Sequence, residues 1–63
     1  MAKKQEFKTV TLDGDLFVCV IEHTMLASGR IGVSMMKSAR RAVGDTHPTE
    51  EERQALIRIL GVN

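Results

Sequence analysis

The chain has 63 residues and a mass of 7.0 kDa, enough for one small domain that buries only about 60% of its unfolded surface. Its single cysteine, Cys19, excludes an internal disulfide, and Cys19, His23 and His47 lack finger-like zinc spacing. A composition of 43% hydrophobic and 27% charged residues with net charge +1 excludes the disordered, collagenous and membrane classes.

Residues 1–5 read as a frayed, solvated start. Residues 7–21 read as a β-hairpin. Phe7 to Leu12 is rich in β-branched and aromatic side chains, and Asp13-Gly14 supplies the positive-φ pair of a type I′ turn. A two-residue loop would set Val10 opposite Phe17, Lys8 opposite Cys19 and Phe7 opposite Val20. The returning run Leu16 to Ile21 is apolar on both faces, as a strand covered on both sides would be. A helix capped by Asp15 is the rival reading, disfavoured because it would be apolar nearly all round and crowded with β-branched residues. No element is assigned to Glu22–Ser28, although Ser28 is a good N-cap for a helix beginning just after it.

Residues 30–43 read as a basic amphipathic helix. At about 100° per residue, Ile31, Met35, Met36, Ala39, Ala42 and Val43 fall within one arc, opposite Ser34, Lys37, Ser38, Arg40 and Arg41. Arg30, Lys37, Arg40 and Arg41 face no acid between residues 30 and 44, so this +4 segment sits between flanks of −1 and −2. Gly44 occupies a C-cap position. Residues 49–60 read as a second helix, with Thr49 and Glu52 as a capping box, Glu50 and Glu51 in the first turn and Gly61 as the stop. The expected fold is a single α+β domain, an N-terminal β-hairpin followed by two amphipathic helices packed on it, dimeric because the core of so short a chain needs support.

Catalysis finds little support. Cys19 and His23 are four residues apart with no third group to orient the imidazole, and no phosphate loop, metal quartet or nucleophile elbow is present. No catalytic residue, metal ligand or cofactor is therefore expected. Ser34, Lys37, Ser38 and Arg41, with Arg40 beside them, would form a stripe of hydrogen-bond donors on the basic helix that could enter a major groove, and Arg30 would add a phosphate contact. The segment Ile31-Gly32-Val33-Ser34 resembles the turn and recognition-helix start of helix-turn-helix proteins, a resemblance that covers these four residues and implies DNA binding.

The leading expectation is a small non-enzymatic regulatory or accessory protein that binds double-stranded DNA through Arg30, Ser34, Lys37, Ser38, Arg40 and Arg41. The alternative is a protein–protein interaction module that docks an acidic or apolar partner surface and inhibits or adapts it. A homodimer interface is expected from Leu16, Phe17, Val18, Val20 and Ile21, with Met35 and Met36. Those two methionines would equally fill an irregular gap in a small core. No leader or spanning segment is evident, and a free thiol fits a cytoplasmic location.

Overall fold

The computed structural model describes residues 2–63. It holds three strands, β1 (Ala2–Leu12), β2 (Asp15–Met25) and β3 (Ile31–Arg41), followed by one helix, α1 (Glu50–Leu60). The strands form an antiparallel meander in the order β1-β2-β3.

The hairpin forms for the reasons written in its turn. Asp13 and Gly14 adopt φ of 51° and 84°, the left-handed pair a type I′ turn requires. That turn fixes the register: Leu12 pairs with Asp15, Val10 with Phe17, Lys8 with Cys19 and Phe7 with Val20. The hairpin is longer than residues 7–21, because Ala2 to Glu6 pair with Met25 to Ile21. Residues 2–5 are thus strand rather than a frayed start, and Met1 lies outside the described residues.

Residues 30–43 correct the expected architecture. Ile31–Arg41 is a strand, so the domain is a three-stranded sheet with one helix and not a hairpin with two. Two β-bulges on β3 explain the misleading pattern. Thr24 pairs with Val33 but Met25 with Ile31, and Val20 pairs with Ser38 but Ile21 with Met36, which leaves Gly32 and Lys37 as extra residues. Each bulge resets the two-residue alternation. Ile31, Ser34, Met36, Ala39 and Arg41 therefore share one face at spacings of three and two, and the three-residue steps mimic a helical period. Ala42 and Val43, expected in the core, lie in the turn after β3, where Val43 is 87% exposed.

Helix α1 is specified locally. The Thr49 hydroxyl accepts from the Glu52 amide, the Glu52 carboxylate accepts from the Thr49 amide, and Gly61 closes the helix at φ 69°. Leu56 is its fully buried anchor and packs on one sheet face with Phe17, Cys19, Ile21, Met36 and Ala39. Val10, Leu12, Ile57, Leu60 and Val62 border this core. After the helix, the chain end bonds the outer edge of β3: the Asn63 amide donates to the Ser34 carbonyl at 3.0 Å, and the Met36 amide donates to the Asn63 carbonyl at 2.9 Å.

Candidate functional site

One helix cannot cover both faces of a sheet. The face away from α1 carries Phe7 on β1, Leu16, Val18 and Val20 on β2, and Val33 and Met35 on β3, placed there by the alternation of each strand and by the registers. Phe7 is 72% exposed, while Val18 and Val20 on the central strand are half-buried between their neighbours. Exposed apolar groups of this kind mark interaction sites, and they fall in two clusters: Phe7 with Leu16, Val18 and Val20 on β1 and β2, and Val33 with Met35 on β3 opposite Thr24 and Glu22. Polar groups lie between and beside them. Glu22 lies between Lys3 at 3.6 Å and Lys37 at 3.7 Å, and Arg40 pairs with Asp45 at 3.1 Å.

The seven residues expected to form a dimer interface divide between the faces. Phe17, Ile21 and Met36 lie inside the chain's own core, whereas Leu16, Val18, Val20 and Met35 lie on the open face. Cys19 is a core residue, and burial pushes its thiol pKa up.

The six residues expected to contact DNA are not brought together. Arg30 stands in the β2–β3 connection, Ser38 and Arg40 lie on the open face, and Ser34 and Arg41 lie on the helix-covered face, with Lys37 at a bulge. Arg41 is fully engaged inside the molecule. Its Nη2 donates to both Glu52 carboxylate oxygens at 2.6 Å, its Nε donates to Asp15 at 3.3 Å, and its guanidinium carbon sits 4.9 Å from the Phe17 ring centroid. The Glu52 hydrogen bonds hold its pKa above the usual arginine value.

The helix-covered face carries a polar triad that sequence spacing did not show. Beyond the C-terminal end of α1, Glu6 on β1, His23 on β2 and Ser34 on β3 lie in adjacent strands. His23 Nε2 is 3.0 Å from Glu6 Oε1, and His23 Nδ1 is 2.7 Å from Ser34 Oγ. A carboxylate only accepts, so Nε2 donates to Glu6, and in the neutral tautomer this leaves Nδ1 to accept from the serine hydroxyl. The bond from His23 holds the Glu6 pKa below the ordinary carboxylate value. The imidazole therefore does have an orienting group, contrary to the expectation for His23. Its partners are 17 and 11 residues away, a separation visible only once the strands are paired. A shallow cavity of about 240 Å³ beside the triad is lined by Lys4, Gln5, Met25 and Ile31 as well as Glu6 and His23.

Among the described residues there is no cluster of three or more histidines, cysteines or carboxylates that could hold a metal ion, and no helix is long and apolar enough to cross a membrane. No protein-family model matches the chain, and comparison with curated proteins and with solved structures gives no significant match.

Proposed function

We propose that this chain is a small non-enzymatic protein–protein interaction module that docks a partner protein on its open sheet face. The observation that supports this reading is the pair of exposed apolar clusters, Phe7 with Leu16, Val18 and Val20, and Val33 with Met35, on a face that no described element covers. Lys3, Lys37 and Arg40 outnumber the acids they pair with, Glu22 and Asp45, and this positive balance beside the apolar clusters favours a partner whose surface carries acidic side chains. The cytoplasm is the proposed compartment, in keeping with the free, buried Cys19.

DNA binding through a major-groove stripe would require a helix and a single row of cations. Arg30 instead lies in the β2–β3 connection, and Lys37, Arg40 and Arg41 lie on β3 divided between its two faces, with Arg41 taken up by Glu52. The Glu6–His23–Ser34 triad enters this reading as a polar tie across the three strands.

Photo-crosslinking in the producing cell tests the reading. A benzophenone side chain at Val33 or Met35 should capture one protein species, and the same group at the exposed Arg58 of α1 should not. Equal capture from all three positions, capture of nucleic acid, or capture of this chain alone would each overturn it.

A further inference from the structure

The two edges of the sheet are treated differently. The outer edge of β3 is closed by the chain's own backbone, through Asn63 at Ser34 and Met36 and through the Thr46 carbonyl, which accepts from the Arg41 amide at 2.8 Å. Among the described residues no backbone group bonds the outer edge of β1, and Ala2 to Thr9 are exposed without a break. It has no proline, bulge or covering loop, and of the usual protections of an edge strand it carries only charge, at Lys3, Lys4, Glu6 and Lys8.

The backbone pattern of this edge follows from the turn. Leu12 and Asp15 close a two-residue hairpin loop as a hydrogen-bonded pair, so the even-numbered residues of β1 bond inward to β2. Lys3, Gln5, Phe7, Thr9 and Thr11 consequently turn their N–H and C=O groups outward.

We infer that two copies of this chain pair antiparallel through β1, centred on Phe7, to form a continuous six-stranded sheet. Length and charge select this register. Phe7 is the midpoint of Ala2–Leu12, so only a two-fold axis at Phe7 overlaps the strands in full. That axis sets Glu6 opposite Lys8 of the second copy, and Lys8 opposite its Glu6. Opposite charges placed directly across a pair of strands stabilise the pairing. Phe7, 72% exposed in the single chain, meets its counterpart on the open face, where aromatic cross-strand pairs are favoured.

Neighbouring registers fail on the same criteria. An axis at Glu6 sets the two Glu6 carboxylates face to face and Lys4 against Lys8, and an axis at Lys8 opposes the two lysines. An axis at Gln5 keeps opposite charges together, Lys4 with Glu6, but overlaps only residues 2–8. The chain's need for further burial is independent of this pairing. Its accessible surface is 4482 Å², against about 4,000 Å² for a compact monomer of this mass.

A charge-swap experiment tests the register, read by sedimentation velocity with circular dichroism as the check on folding. The wild-type chain should sediment as a dimer. Glu6→Lys alone and Lys8→Glu alone each set like charges against one another and should weaken association about tenfold or more, while an equimolar mixture of the two variants should recover a dimer. Thr9→Pro removes an outward amide without touching the β1–β2 ladder and should also give monomers. A monomeric wild type, or a dimer insensitive to all three substitutions, would overturn the inference. Partner capture from Val33 and Met35 does not depend on this dimer, so the two proposals can fail separately.

Discussion

Arg41 near the end of the sheet and Glu52 in the first turn of α1 share two hydrogen bonds from a single guanidinium nitrogen, each 2.6 Å long. Glu52 Oε1 also accepts from the Thr49 amide at 2.9 Å. One carboxylate therefore completes the helix cap and joins the helix to β3.

Acid should loosen this joint. The Thr49 amide first, and the Arg41 guanidinium second, hold the Glu52 pKa below its ordinary value of 4.5. Because the folded-state pKa is depressed, the stabilisation is fully present above about 4.5 and is lost as pH falls through the folded value. The melting temperature of the wild type should exceed that of Glu52→Gln at pH 7, and the gap should close under progressive acidification below pH 4.5. A gap that is constant across this range would show that the charge of Glu52 plays no part.

Leu56 is the single fully buried side chain of α1, and Ile59, on the same helix, is more than half exposed. Leu56→Ala should cost about 2–5 kcal/mol, while Ile59→Ala should stay within about 0.5 kcal/mol. A core in a domain this small contributes only about 3–5 kcal/mol, so Leu56→Ala should unfold most of the population. Urea titration followed by circular dichroism measures both.

Two glycines should respond in opposite ways. Gly14 has φ 84° with open space around it, so alanine would be strained by backbone conformation alone, at about 1–2 kcal/mol. Gly32 has an ordinary φ, and an added Cβ would meet the Leu26 Cδ2 atom at 3.0 Å. Leu26 is half exposed and free to swing aside, so Gly32→Ala should be nearly neutral. Thermal melts of the two variants compare them directly, and an equal loss at both sites would count against this assignment of the strain.

The Cys19 thiol is completely buried, and burial raises its pKa, so little reactive thiolate forms at neutral pH. A disulfide reagent should modify the protein only as it unfolds, at a rate that rises with urea. Immediate modification of the native protein would contradict the packing of Phe17, Cys19 and Ile21 against α1.

Much of the fold was legible where one local signal decided the outcome. Asp13-Gly14 set the hairpin and its register, and Thr49 with Glu52 and Gly61 set the helix, because turns and caps depend on the residues within them. Residues 31–41 were not legible, since the bulges at Gly32 and Lys37 gave a buried face helical spacing and Met35, Met36, Lys37, Ala39, Arg40 and Arg41 favour helix intrinsically. Pairing with β2 overrode that preference. The open face was only half visible: Leu16, Val18 and Val20 stood out as apolar, but the partition of this run between core and surface depends on which face α1 covers. The Glu6–His23–Ser34 triad depended on all three strands and left no local trace.

The unequal lengths of sheet and helix should appear in amide exchange. The molecule extends 39 Å along its longest axis, whereas eleven helical residues span only about 16 Å. The strand ends at Lys4, Thr24 and Val33 thus lie beyond the core that Leu56 anchors, and their amides should exchange by local opening well before those of Phe17 and Cys19. This gradient makes the end of the sheet that holds His23 the first part of the protein to open.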